Sequence, residues 1–345
     1  MTVIFCGIDF HKHTSTICYL FPDGKEEIKT ILTSGLVKEL SNRPLMRIAV
    51  EATGGSNHLA VEIKKLEHEI ILIDTVKFKA IGLGGKKTDK RDAKALAHIL
   101  KVDYVPSVFL KSLGARRIKS LIVSRELCVQ DRVTATNHIR GILREYGLTM
   151  PQGVEEFHAN VSEKIASLNF PYLEDALKFQ LRRSVELKAK EKEIEQQLTE
   201  LLAGDENVQI LQSVPGVGLM TSAAFIAVID DIARFKSSKE LASYLGLVPR
   251  ESSSGGKRRM GSITQSGSET LRRYFIHGAR SVLMHTNDRS TEPLRKWALN
   301  VKKRGGMNKA TVALAHRLAR ICFCLLKERR FYAKTYSPAE MKKIA

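Results

Sequence analysis

A single acid inside an otherwise apolar, β-prone run sets the terms for the first third of the chain. Met1–Phe10 reads Met-Thr-Val-Ile-Phe-Cys-Gly-Ile-Asp-Phe and is followed by the polar His11-Lys12-His13. Apolar runs of this length between polar residues belong to central strands, and a carboxylate there, Asp9, is costly unless something pairs with it. Taken alone, a Gly-x-Asp is most simply a strand end capping a turn. Two later stretches argue otherwise. Val50-Glu51-Ala52-Thr53-Gly54-Gly55 sets Glu51 at the end of another strand, and Lys87-Thr88-Asp89-Lys90-Arg91-Asp92-Ala93 sets Asp89 and Asp92 three apart on one helix face. Four carboxylates delivered in this way can surround a divalent metal.

The surrounding pattern tells which fold would bring them together. Residues 3–9, 14–21 and 26–32 read as an antiparallel meander, with Pro22-Asp23-Gly24 as its second turn. Residues 34–43 then read as helix, 46–51 as strand, 56–66 as helix and 69–74 as strand. Three hairpin strands followed by alternating helix and strand is the order of the ribonuclease H-like α/β fold. In that order Asp9 lies on the first strand, Glu51 closes the fourth, and the Asp89/Asp92 helix packs back beside them. Gly82-Leu83-Gly84-Gly85-Lys86-Lys87 makes a flexible basic approach to that helix.

Beyond this region the period becomes helical. Residues 113–146 carry apolar or small pairs every seven positions (Leu121/Ile122, Cys128/Val129, Ala135/Thr136, Ile142/Leu143), and residues 172–202 repeat Leu187, Ile194 and Leu201. With a Gly-, Pro- and Asn-rich loop between them, the two read as a coiled-coil helical hairpin. It is either a spacer or a dimerisation arm, with Glu191 and Ser184 interrupting the apolar seam. Next, a helix breaks at Pro215-Gly216 and restarts after Gly218, a helix-hairpin-helix signature whose amides can receive a DNA phosphate. A plain tight turn between packed helices fits the same residues. Ser252-Ser253-Ser254-Gly255-Gly256-Lys257-Arg258-Arg259 gathers hydroxyls, amides and cations on one short loop, either to hold a phosphate or as a basic linker. Further helices follow Thr270, and Arg295–Lys327 holds nine Lys or Arg and no acid, while residues 312–326 keep an apolar face; a packed helix with a basic outer surface satisfies both. The resulting domains are 1–108, 109–206 and 207–335, with a tail at 336–345.

Charge and composition narrow the partners. The 56 Lys and Arg exceed 37 Asp and Glu by a net +19, which predicts a polyanionic partner, nucleic acid foremost. No apolar run approaches the roughly 18 residues of a membrane span, and the first residues lack the basic-then-apolar order of a signal peptide. A cytoplasmic protein with no membrane partner is expected. The five cysteines are odd in number and show no Cys-x-x-Cys spacing, so reduced, buried thiols are expected.

Together these segments resemble the DEDD insertion-sequence transposases (insertion sequence 110 family), kin to the pilin-gene invertases and described as bridge-RNA-guided recombinases. Gly7-Ile8-Asp9, Val50-Glu51-Ala52-Thr53-Gly54 and Thr88-Asp89-Lys90-Arg91-Asp92-Ala93 match the tetrad of the RuvC-like domain. Val214-Pro215-Gly216-Val217-Gly218, Tyr244-Leu245-Gly246-Leu247-Val248-Pro249 and Ser254-Gly255-Gly256-Lys257 match the mainly helical C-terminal transposase domain. One departure is Thr264-Gln265-Ser266-Gly267, where family members commonly carry basic residues before the glycine. The resemblance implies DNA strand exchange through a serine nucleophile and a 5′-phosphoserine intermediate, assisted by Mg2+ or Mn2+ on Asp9, Glu51, Asp89 and Asp92. It further implies a structured non-coding guide RNA that selects target and donor DNA. The assembly it implies is a homo-oligomer, a dimer that becomes a tetramer in the synaptic complex. Ser254 is the preferred nucleophile because it directly precedes two glycines, with Ser252 and Ser253 as alternatives. Expected nucleic-acid contacts are Gly216, Gly218, Lys257, Arg258, Arg259, Arg272, Arg273, Lys302, Lys303 and Arg304. The competing readings are a RuvC-like metal-dependent junction resolvase or nuclease that activates water, and a non-catalytic nucleic-acid-binding protein.

Overall fold

The structure, a computed structural model, describes residues 3–80, 88–102, 105–252 and 259–333. Its contacts divide the chain into two compact units, Met1–Lys111 and Ser112–Ala345.

In the first unit, β1 (Ile4–Phe10), β2 (Thr14–Leu20) and β3 (Glu26–Leu32) form the meander, followed by α1 (Leu36–Ser41), β4 (Met46–Glu51), α2 (Ser56–Lys65) and β5 (Glu69–Ile73). Each lies within a few residues of its expected limits. Two short elements, α3 (Thr75–Ala80) and β6 (Ser107–Val108), were not anticipated; between them runs α4 (Asp89–Ile99). The six strands order as β3-β2-β1-β4-β5-β6, with β1, β4 and β5 parallel and the others antiparallel to their neighbours. This mixed sheet is consistent with the ribonuclease H-like expectation.

Alternation along the strands separates two cores. Cys6, Ile8, Ile48 and Val50 pack with Leu36, Leu40, Leu59 and Ile63 on one face, while Ala49 and Ile73 meet Leu96 and Ile99 of α4 on the other. Gly7 decides how close α4 comes. A Cβ at this position would stand 2.0 Å from Ala93 O and 2.4 Å from Ala97 N, so the helix backbone rests directly on β1.

The second unit is mostly helical: α5 (Leu113–Glu145), α6 (Val154–Ala166), α7 (Pro171–Leu201), α8 (Glu206–Gln212), α9 (Leu219–Ile229), α10 (Ser238–Tyr244), the strand pair β7 (Pro249–Glu251) and β8 (Met260–Ile263), α11 (Glu269–Met284) and α12 (Pro293–Glu328). Helices α5 and α7 run antiparallel, as the pairs Arg125–Glu195 and Arg132–Glu191 require. Buried Ala115, Ile118 and Ile122, then Thr136, Ile139 and Leu143, keep the three-four spacing of a helix seam. Glu191 and Ser184, which interrupt the apolar seam, are both buried and both have partners. Arg132 donates to both Glu191 oxygens at 2.6 and 3.2 Å, and Ser184 Oγ hydrogen-bonds with His158 Nε2 at 3.0 Å. Ile194 is also not an open seam position, because it is buried in the main core of this unit with Ile118, Ile122 and Leu198.

The stretch expected to be a loop between these helices holds α6 instead. Its Phe157, Val161 and Ile165 close a separate core with Ile139, Leu143 and Leu177. A second correction concerns α12, which is two arms rather than one rod. Gly306 inside it has φ 77° and ψ 173°, and the guanidinium carbon of Arg317 lies 4.2 Å from the ring centre of Trp297. Along a straight helix those residues would be separated by about 30 Å, so the chain folds back on itself at the glycine. All five cysteines are free thiols, and no described helix is long and apolar enough to cross a membrane.

Candidate active site

Strand direction explains why the first two acids meet. With Ile8 opposite Val50 in parallel register, the following residues, Asp9 and Glu51, close β1 and β4 at the same end of the sheet. Both line one hollow, together with His11, Lys12, Thr53 and Gly54. The third element arrives through the contact at Gly7. With α4 seated on β1, its first turn carries Asp89 and Asp92, and Thr88 caps it, the hydroxyl accepting from Arg91 N at 3.4 Å.

The groups converge around an imidazole. His11 Nε2 donates to Asp9 Oδ2 at 3.2 Å and lies 3.9 Å from Asp89 Oδ1. One ligand atom from each of Asp9, His11 and Asp89 falls within 4.8 Å of the others. Asp9 is only 8% exposed. Burial raises its carboxyl above the usual range, Asp89 and Asp92 push in the same direction, and His11 opposes them. Oxygen donors of like charge, gathered at one open-sided point with a single imidazole, suit a divalent cation chemically. His11 was missed in the sequence reading. The signal was its position two residues after Asp9, which keeps both side chains on the same side of an extended chain.

Ser253–Arg258, and with them Ser254, Lys257 and Arg258, lie outside the described residues. Their flanks are anchored. Strands β7 and β8 pair antiparallel, and Ser252 N donates to Arg259 O at 2.9 Å. At the base of this ribbon two glycines allow close backbone approach: a Cβ on Gly246 would stand 2.4 Å from Ser266 O, and one on Gly267 would stand 1.9 Å from Tyr244 O. Arg272 locks the same junction, donating to Leu245 O at 3.0 Å and Ser266 O at 2.7 Å. Since it is buried, Arg272 is a brace and not the expected nucleic-acid contact.

Other expected contacts are partly spoken for. Arg273 is ion-paired with Glu126 of α5, and Lys303 with Asp288. Arg259 and Arg304 are exposed, and Lys302 is half-buried. Gly216 takes φ +79°, and a Cβ there would stand 2.7 Å from Gly278 O, so its turn serves packing against α11. Gly218 caps α9 in extended conformation, with open space where a Cβ would be, and lines a hollow with Arg289 and Arg295.

Known proteins share this arrangement of sequence. Residues 6–148 match the IS110-type DEDD family described as "Transposase", and residues 208–294 match the "Transposase IS116/IS110/IS902 family". The chain is 30% identical over 330 residues to the transposase for insertion sequence element IS1111A of Coxiella burnetii, an alignment spanning 94% of this chain and 90% of that one. With the transposase for insertion sequence element IS1328 of Yersinia enterocolitica it shares 29% identity over 338 residues, 96% and 99% of the two chains. With the pilin gene-inverting protein of Moraxella lacunata it shares 23% over 354 positions, 97% and 99% of the two. A sheet that ends Asp9 and Glu51 on one side with α4 beside it, two matching family models, and relatives aligned almost end to end lead to one assignment: the chain belongs to the IS110 family of insertion-sequence transposases.

Proposed function

We propose that the chain exchanges DNA strands through a serine ester, at target and donor sites selected by a structured guide RNA, with Mg2+ or Mn2+ held by Asp9, Glu51, Asp89 and Asp92. The observation that supports this best is the approach of Asp9, His11 and Asp89 to within 4.8 Å, with Glu51 lining the same hollow as Asp9. A divalent cation there would draw negative charge from a phosphoryl oxygen and relieve the repulsion among the acids. Asp9 and Glu51 are held by strands, which keeps them in place without help from the ligand. His11, donating from Nε2 to Asp9, orients that carboxylate.

The nucleophile is Ser254, ahead of Ser252 and Ser253, because the two glycines after it let the backbone approach a phosphate. Its Oγ–P bond forms as the P–O3′ bond breaks, and the hydroxyl proton ends on the departing 3′ oxygen. The ester keeps the energy of the broken bond. A 3′-hydroxyl from another strand then attacks the same phosphorus, forming a new P–O3′ bond and returning the proton to serine, with no need for ATP. Lys257, Arg258, Arg259, Lys302, Arg304 and the amide of Gly218 supply phosphate contacts that fix register without reading sequence. Protomers associate through the α5–α7 arm, as a dimer and then a synaptic tetramer, so that the acids of one chain serve the serine of another.

A nicked suicide substrate tests the reading. Wild type and the Ser252→Ala and Ser253→Ala variants form a covalent protein–DNA adduct, and Ser254→Ala forms none while still binding DNA. Peptide mapping of the ester to Ser252 or Ser253 moves the nucleophile. DNA cut with no serine ester at all means metal-activated water, and the exchange mechanism is then wrong. RNase-treated protein that recombines the same sites at the same rate removes the guide RNA.

A further inference from the structure

The second arm of α12 carries a cationic face that membership in the family leaves unexplained. Ala313, His316, Arg317 and Arg320 follow at helical spacing, and Trp297 of the first arm closes the other side of a hollow of about 230 Å³. This wall exists because Gly306 reverses the chain. Arg317 stacks on the indole, and Arg320 Nε donates to Ser238 Oγ of α10 at 3.1 Å.

The charges are badly arranged for stability. Burial pulls His316, Arg317 and Arg320 below their ordinary values, and Arg320 pushes both His316 and Arg317 further the same way. Two guanidinium groups partly removed from water and set close together oppose folding, and they favour the neutral form of His316 beside them. A methionine or leucine would cover Trp297 without that cost. What such a cluster gains is an anion, through charge-assisted N–H···O bonds about twice as strong as neutral ones. Arginine suits the task because its planar fork matches phosphate, and a guanidinium already held against an aromatic face loses little freedom on binding.

We propose that the hollow between Trp297 and the His316–Arg317–Arg320 face binds a backbone phosphate of a nucleic-acid strand. The site rests on the chain's membership in a DNA-acting family and is independent of the serine and carboxylate chemistry proposed above. Lys302, Lys303 and Arg304 lie on the arm of Trp297 and are not among the residues that line the hollow.

Trp297 is the only tryptophan in the chain, so the site reports on itself. The full-length protein, with metal chelated so that no strand is cut, is titrated with short single-stranded DNA and with RNA of the same sequence. Tryptophan emission and the anisotropy of a label on the oligonucleotide are followed together. A saturable change in emission is expected, and whichever strand produces it is the source of the phosphate. Arg320→Gln leaves the Arg317–Trp297 stack in place. It is expected to weaken binding about tenfold and to lower the slope of log affinity against log salt by about 0.7. The melting temperature of this variant, without ligand, should be unchanged or raised. Emission indifferent to both strands overturns the proposal. So does an Arg320→Gln variant with wild-type affinity and salt slope but a lower melting temperature, which would make the arginine a structural brace. Binding is read here without cleavage, so failure of this site leaves the recombination mechanism standing, and an adduct test that fails on Ser254 leaves this site standing.

Discussion

Asp9 is buried at a strand end beside two other acids, and in the absence of a cation its charge works against the fold. Asp9→Asn keeps the shape and removes that charge. The metal-free variant is therefore expected to be more stable than wild type at neutral pH, by about 0.5–2 kcal/mol, the usual sign at a site where function outweighs stability. Added Mn2+ should raise the melting temperature of wild type and leave the variant unmoved. Scanning calorimetry of both proteins, with and without Mn2+, checks the pair of outcomes; a less stable metal-free variant would mean that the acid is held by something other than the cation. The strand ends at Asp9 and Glu51 and the helix start at Asp89 were legible in the sequence because apolar strand runs and the helix-capping Thr88 mark them. Arg272 was not. A cation in a basic, helical stretch reads as surface, and only the backbone turn at Leu245 and Ser266, with two carbonyls in need of donors, makes it interior.

At the level of elements, the seat of α4 on β1 depends on one missing methyl group. Gly7→Ala would drive a Cβ into Ala93 O and Ala97 N, and because both obstacles are backbone the helix itself must move. A loss of about 3 kcal/mol is expected, together with weaker Mn2+ binding, because Asp89 and Asp92 travel with the helix. Urea denaturation and Mn2+ titration measure the two effects, and full stability in the variant would show that the helix approach is not tight. The α5–α7 arm has its own signature. His158, hydrogen-bonded with Ser184, is held below the ordinary histidine value by burial first and then by Lys188 and Arg132. The unfolded chain thus takes up the proton first, so the contribution of His158 is whole above about pH 6.5 and falls as pH drops through the lower folded value. His158→Gln should flatten that part of the stability curve below about pH 6.5. An unchanged pH profile would place the sensitivity elsewhere. Strands and the long helices were legible because their apolar periods are sustained. Helix α6 was hidden by Gly147, Pro151, Gly153 and Asn169 around it, although Phe157, Val161 and Ile165 repeat at four-residue spacing inside. The reversal of α12 was hidden for the opposite reason: helical composition continues on both sides of Gly305-Gly306, and the backbone of Gly306 with the contact of Trp297 and Arg317 exposes the fold-back.

For the whole molecule, the division after Lys111 is the feature with the widest reach. The first unit has its own sheet and cores on both faces of it, so a fragment ending at Lys111 is expected to unfold cooperatively and to bind Mn2+ with the affinity of the full chain. Circular dichroism melts and calorimetric titration test this; a fragment without a cooperative transition would show that the second unit is needed to hold the acids. The split also has a meaning in time. All four acids precede Lys111, whereas Ser254 follows well over a hundred residues later. At synthesis rates of about 5–20 residues per second, a ribosome displays a completed acidic pocket on the order of ten seconds before the proposed nucleophile exists. Through that interval the nascent chain has its acids but not its own nucleophile, so under the proposed mechanism it can enter recombination only by lending those acids to the serine of a finished protomer.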